Sequence, residues 1–389
     1  MRAIICGDTH IGAVFGLGGP NGKGGNTRVD DYEKSLNSVI DYCIDTDADI
    51  FIQTGDLFET RNPTPEQIKI VDKALKRLSN ANIATFVIMG NHDYKKTGST
   101  FTSSISSLSS AEYTNVRMLL EPEVIHFSNK KKEGANLLLV PYRDKRMYPG
   151  TSVKACSEGY DSHIMSLLSE IENKDCTIAV GHNFFMEGSY NDYGGSEVLA
   201  NPLAFVGADA VFMGHLHQFR ILRKHAPVCV YTGSMERTNF GESKVDKYFI
   251  DYDLGKKKAK FCKIDTRNLL DETIDLTDST FSDIQSLLEE KINSYDMSEK
   301  IVRLKVVADE KLIPALDKTL IGELAYKNGC HYLSKVIIEP IIKRIIRDNK
   351  ILEHKDDYSM FKAFIESQGL EKEFETSLLK EAKDIMGDV

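Results

Sequence analysis

A chain of 389 residues is about twice the usual length of one domain, so one large domain with an appendage, or two comparable domains, are both open. The composition, 41% hydrophobic and 28% charged, is that of a water-soluble globular protein. No run approaches the ~18 apolar residues that a membrane-spanning helix needs, which argues against a membrane protein. A net charge of −9 disfavours polyanion binding by overall attraction, so any contact with nucleic acid should be local or carried by metal.

The opening Met1-Arg2-Ala3-Ile4-Ile5-Cys6-Gly7-Asp8 is too short an apolar stretch for a signal peptide and ends in a carboxylate, which points to the cytoplasm, or to a host cytoplasm for a viral source. Short apolar runs at 2 to 8, 49 to 56 and 84 to 90 predict strands. The stretches 29 to 46 and 64 to 80 predict helices, the second with Ile68, Val71, Leu75 and Leu78 at helical spacing. Seven cysteines stand singly with no Cys-x-x-Cys pair, so neither a disulfide framework nor a thiolate zinc site is expected. Strands are predicted next at 136 to 142, 176 to 182, 208 to 214 and 228 to 232, then a hairpin from Tyr248 to Asp265 turning at Gly255. After about Thr266 the pattern becomes helix 280 to 293, strand 301 to 307, helix 312 to 327 and strand 331 to 339, a small α+β domain. From Lys350 two helices are expected, divided by Gly369 and striped with Met360, Phe361, Phe364 and Ile365, then Phe374, Leu378, Leu379 and Ile385.

The chemistry lies at the strand ends. Asp8-Thr9-His10 follows the first strand, Gly55-Asp56 the second and Gly90-Asn91-His92-Asp93 the third. Gly181-His182 and Gly214-His215-Leu216-His217 follow two later ones. One Asp-x-His is an ordinary turn, but five strand ends that each carry a metal-capable side chain are hard to ascribe to chance, and the C-terminal edge of a sheet is where α/β proteins bind ligands. Two aspartates, one asparagine and four imidazoles form a sulfur-free donor set suited to Mn²⁺, Fe²⁺ or Zn²⁺. Seven donors exceed the needs of one tetrahedral ion and suit two ions that clamp an in-line displacement. The remaining histidines, His126, His163, His225, His331 and His354, lie in no such context and are assigned structural roles.

This order of motifs resembles the calcineurin-like metallophosphoesterases over residues 1 to about 240. Within them it is similar to the SbcD, or meiotic recombination eleven, nuclease branch, through Gly55-Asp56-Leu57-Phe58, Val140-Pro141-Tyr142, Tyr231 to Arg237, and Phe240-Gly241-Glu242. The resemblance implies a four-layer α/β/β/α sandwich at 1–265, a capping domain that binds DNA at 266–345, and a helical segment at 346–389 that binds an SMC-like coiled-coil ATPase of the SbcC or Rad-fifty type. It implies two divalent ions, Mn²⁺ before Mg²⁺, Fe²⁺ or Zn²⁺: one held by Asp8, His10, Asp56 and His217, the other by Asp56, Asn91, His182 and His215. His92 would face the scissile phosphate, with Asp93 orienting its ring. The implied activity is 3′ exonuclease and single-strand or hairpin endonuclease, from a homodimer within a heterotetramer that repairs DNA breaks. One departure is Glu59, where some members carry a histidine.

A small-substrate phosphodiesterase and a non-catalytic scaffold are the rival readings. The glycine-rich stretch 16 to 25 fails the phosphate-loop pattern, since Lys23 is followed by glycine, and is expected to be a flexible surface loop. Lys130–Lys132 and Lys256–Lys258 are expected in solvated turns. Arg28 is open between a phosphate contact and a plain surface arginine.

Overall fold

The computed structural model describes residues 1–97, 100–108, 113–186, 197–224, 227–341, 357–367 and 372–386. His225, His354 and the boundary expected at 346 lie outside them. Residues Met1–Glu339 form one compact unit and Pro340–Val389 a second.

The chain opens with β1 (Arg2–Cys6), α1 (Thr27–Asp45), β2 (Ile50–Gln53), α2 (Pro65–Asn80) and β3 (Ala84–Ile88). A ribbon of β4 (Tyr94–Thr97) and β5 (Thr100–Ser103) follows, then β6 (Val116–Leu119), β7 (Glu123–Ser128), β8 (Gly134–Val140), α3 (Val153–Ser169) and β9 (Cys176–Gly181). Next come β10 (Ala210–Met213), β11 (Arg220–Arg223), β12 (Val228–Tyr231), β13 (Lys247–Asp253) and β14 (Lys258–Ile264). The first unit ends in β15 (Leu269–Leu276), α4 (Ile284–Ser294), β16 (Ile301–Ala308), α5 (Lys318–Lys327) and β17 (Tyr332–Pro340), and the second contains α6 (Asp357–Ser367) and α7 (Lys372–Met386).

Two six-stranded sheets, ordered β14-β13-β1-β2-β3-β6 and β11-β12-β10-β9-β8-β7, make the sandwich. Alternation along each strand assigns its two faces. Ile4 and Cys6 pack with α1 and α2, while Ala3 and Ile5 face the second sheet; Leu137 and Leu139 face the first sheet, while Leu138 and Val140 pack with Tyr160 and Ile164 of α3. The result is the expected helix, sheet, sheet, helix stack. The helix start at α2 is set by Pro65 and a capping box, in which Thr64 accepts from Gln67 N and Gln67 returns a bond to Thr64 N at 2.9 Å. No described helix is long and apolar enough to cross a membrane.

The third sheet, β15-β16-β17, has its own core of Ile274, Leu288, Ile292, Leu304, Val306 and Ile321 with α4 and α5. Where the sequence predicts one helix over 312 to 327, a short helical turn over Glu310–Ala315 is followed by α5, restarted by the Asp317 cap. Pro314 lies in the first piece, where its ring blocks continuation. The sequence reading passes over α3, β15, β6, β7, β11 and the β4-β5 ribbon.

The glycine-rich stretch is tied down rather than loose. Leu17 is buried with Phe240, Leu269 and Ile301 against Tyr332, and Ser334 Oγ donates to Gly16 O at 2.7 Å. Arg28 is neither of the alternatives read from sequence. It is completely buried, donating to Asp31 at 2.9 Å, to Glu236 at 3.0 Å and to the Arg237 carbonyl. Asp31 is shared with Arg267, whose Nη1 also donates to Glu299 O at 2.8 Å, so this ion network ties α1 to the third sheet's loops.

Removing one partner of a buried ion cluster leaves the others uncompensated, at a cost of about 3–5 kcal/mol. Arg28→Met is therefore expected to lower unfolding stability by that amount in urea titrations. A loss below ~1 kcal/mol would show that the cluster contributes little net stability.

Candidate metal centre

Five strands deliver the site. β1, β2 and β3 are parallel neighbours in the first sheet, and β9 and β10 in the second, so the residues after them emerge at one end of the sandwich. The turns are tight enough to demand particular backbones. At Gly90 a Cβ would sit 2.1 Å from Asp56 N and 2.2 Å from Asp56 Oδ1, so the third strand can end here only as glycine. His10, Asp56 and His215 hold φ of 45°, 51° and 83°, the left-handed region that ordinary residues avoid, and three such residues converging in one place mark a functional site.

The side chains gather into two abutting clusters, Asp8 with His10 and His217, and Asp56 with His182 and His215, in each of which one donor atom per residue lies within 4.8 Å of the others. Asn91 sits against the second, its Oδ1 2.9 Å from His182 Nε2 and 2.8 Å from His215 Nδ1. Asp56 also reaches His10 Nε2 at 3.7 Å and His182 Nε2 at 3.3 Å, placing its carboxylate between the clusters. Thus all seven residues named from sequence come together. Asp8, His10, Asp56 and His182 are buried, while His217 and Asn91 lie partly open.

The outward ring nitrogens are each engaged. His182 Nδ1 donates to Thr54 O at 2.7 Å. His217 Nδ1 meets Thr238 Oγ1 at 3.3 Å, and since that hydroxyl donates to Glu242 Oε1 at 2.7 Å, it accepts from the ring. His10 Nδ1 faces Glu59 Oε2 at 2.8 Å and His215 Nε2 faces Glu197 Oε2 at 2.9 Å. With protons outward, neutral rings turn lone pairs inward, and His10 Nε2 and His217 Nε2 stand only 2.9 Å apart. Two bare lone pairs at that distance repel unless a proton or cation lies between them. The donor set and its outer anchoring fit metal ions.

His92 lies beside the clusters, its ring edge-on to His10 at 4.9 Å, with Nδ1 donating to Glu59 O at 2.9 Å and its side chain 35% exposed. The Asp93 carboxylate does not take the ring-orienting position expected from sequence. It accepts from Leu57 N, Phe58 N and Gly90 N, bracing the second strand's loop against the third's. A cleft of about 420 Å³ opens here, lined by Glu59, Thr60, Arg61, Asn62, Asn91 and His92. Sequence reasoning missed Glu197 and Arg61, which belong to no motif; only their spatial neighbours single them out. His126 and His163 pair with Asn136 and Tyr148, consistent with structural roles.

The calcineurin-like phosphoesterase family profile matches residues 1–219, more than half of the chain, and the chain belongs to that family of phosphoesterases. It is 25% identical over 318 residues to the DNA double-strand break repair protein Mre11 of Methanosarcina mazei, covering 80% of this chain and 46% of that one. It is 24% identical to the Thermoplasma acidophilum protein of the same name, covering 79% of this chain and 75% of that one. The chain thus spans about half the length of the Methanosarcina relative. A dimetal phosphatase from Danio rerio is similar at 9% identity and a TM-score of 0.42, over 65% of this chain and 92% of that chain.

Without a cation, protons must balance the buried carboxylates. Burial works against a charged His182, but Asp56 and Asp8 outweigh it and push the imidazole up to about 10. Burial likewise opposes an ionised Asp56, yet His182 and His10 hold it well below the usual carboxylate range. An unfolded histidine titrates near ~6.5, so the stabilisation from the raised His182 is complete below that pH and is lost as the pH rises toward about 10. A cation must expel the same proton. Titrating Mn²⁺ into chelator-treated protein at pH 8 in weak buffer should release protons to an indicator dye. The melting temperature should fall between pH 7 and 10 more steeply in chelator than in Mn²⁺. No proton release would overturn the protonated His182.

Proposed function

We propose that the chain is a two-metal DNA nuclease, with Asp8, His10, Asp56 and His217 holding one ion and Asp56, Asn91, His182 and His215 the other, Mn²⁺ foremost. The observation that carries the metal reading is the pair of abutting oxygen and nitrogen clusters with Asp56 between them, beside an open cleft that Asn91 and His92 help to line. Ions bound there supply Lewis-acid polarisation of the phosphodiester and an activated water. The DNA substrate is supported by the relatives, which are named as double-strand break repair proteins. The 3′ exonuclease and hairpin endonuclease activities belong to the same proposal, as do a homodimer and an SMC-like ATPase partner. For that partner, α6 and α7 offer a surface bearing exposed Phe364, Phe374 and Ile385.

The chain's own groups divide the remaining work. His92 has its Nδ1 proton committed to the Glu59 carbonyl, which leaves Nε2 to carry a proton to the departing sugar oxygen. Among the described residues that line the cleft, Arg61 is the one arginine or lysine, where it can hold a neighbouring backbone phosphate in register.

The test is Mn²⁺-dependent cleavage of end-labelled duplex and hairpin DNA, with bis-p-nitrophenyl phosphate run in parallel. The wild type should cut DNA and Asp56→Asn should not. Turnover of the small diester with DNA left intact would replace the nuclease by a small-substrate phosphodiesterase. His92→Gln should lower kcat on DNA by about 10²–10⁴ while sparing the nitrophenyl ester, whose leaving group needs no proton; equal losses on both would remove His92 as the acid. Arg61→Ala should raise KM for DNA and reduce the salt slope of binding by about 1, with small-diester turnover unchanged. An unaltered salt slope would exclude a phosphate contact.

A further inference from the structure

Glu59 and Glu197 enter the site from different parts of the chain and occupy matching positions in it. Glu59 follows the Asp56 loop and is fixed by its own backbone, with Glu59 N donating to Ile11 O at 3.1 Å. Glu197 bridges to Asp144 at the edge of the second sheet. Glu59 Oε2, His10 Nδ1, Glu197 Oε2 and His215 Nε2 are all buried, and beyond the bent pairings at 2.8 and 2.9 Å none has a hydrogen-bond partner. Each glutamate is only partly buried, but the one oxygen it turns inward is out of contact with water and faces an imidazole nitrogen, an arrangement that calls for a role.

We propose that Glu59 and Glu197 are positioning residues for the two cations, each carboxylate holding the outward nitrogen of one imidazole so that its other nitrogen faces an ion. This rests on the two-metal reading above. His10 Nε2 points to His217 and Asp56, and His215 Nδ1 points to Asn91, so both glutamates lie behind the rings rather than on the faces turned to the two ions; on that outer side Glu59, His10 and His92 also stand within 4.8 Å of one another. Each cluster then holds one imidazole backed by a carboxylate and one backed by a neutral oxygen, from Thr238 in the first and Thr54 in the second. Charge matches as well. Asp8, Asp56, Glu59 and Glu197 together place four negative charges around the two divalent ions. A carboxylate behind a ligand histidine fixes its tautomer and raises its basicity. For His215 it also restrains a residue whose backbone is already strained, at φ 83°.

The experiment is calorimetric Mn²⁺ titration of the full chain, with melting temperatures in chelator and in saturating Mn²⁺. Wild type should bind two ions. Glu59→Ala and Glu197→Ala should each weaken one ion by about 10–100-fold and leave the other unchanged. Glu59→Gln and Glu197→Gln, which keep an acceptor oxygen, should recover part of the loss. In each variant the melting temperature in chelator should be little changed, because each glutamate is partly exposed and meets its imidazole without a well-formed hydrogen bond, while the rise produced by Mn²⁺ should shrink. Wild-type affinity for both ions in both alanine variants overturns the inference while leaving the two-metal reading intact. A smaller melting temperature in chelator with undiminished Mn²⁺ affinity assigns the glutamates to folding instead. A wild type that binds no Mn²⁺ overturns the two-metal reading, and the inference with it.

Discussion

Asp8 and Asp56 are carboxylates removed from water at the junction of two sheets, and an uncompensated charge in that position is prohibitively expensive. Much of the surrounding structure answers this constraint. Backbone amides of His92 and His215 donate to the two carboxylates, and four imidazoles surround them. Parallel strands make the arrangement possible, because five of them release their next residues at the same end of the sandwich.

A second group of buried charges holds the catalytic floor to its surroundings. Arg28, Asp31 and Glu236 join α1 to the segment after β12, and Arg267 extends the network to the loop before β16. Close by, Lys247 donates to Glu242 at 2.6 Å and to the His217 carbonyl at 3.0 Å. Glu242 in turn takes the Thr238 hydroxyl that anchors the His217 ring. The 236–247 segment therefore links a cluster histidine to the part of the molecule that carries the third sheet.

The outer ring-nitrogen contacts give the site its rigidity. The four imidazoles are backed by three kinds of group: a main-chain carbonyl for His182, a hydroxyl for His217 and carboxylates for His10 and His215. His92 differs in being anchored by the Glu59 carbonyl yet open to the cleft. Glu59 thus uses its side chain on one histidine and its main chain on another.

The residue types at strand ends were legible in the sequence because a strand that stops in glycine followed by a carboxylate, amide or imidazole leaves a local signature. Ala3, Ile4, Ile5 and Cys6 are apolar on both faces, so the sequence marked a buried strand, and the packing decided that Ile4 and Cys6 face the helices while Ala3 and Ile5 face the second sheet. Short edge strands such as β6 and β11 left little pattern to read, and α3 has a glycine in its middle and a serine among its few buried positions. Arg28 looked like a surface residue because its acidic partners lie within and far beyond its own helix, at 31 and 236. Asp93 was adjacent to His92 in sequence, but its carboxylate turned to three backbone amides. The amino-acid sequence by itself therefore determined the donor chemistry, the layer order and the family. Only the tertiary structure decided the partners of each buried charge and the places of Glu59, Glu197 and Arg61, because these depend on atoms brought together from segments that share no local pattern.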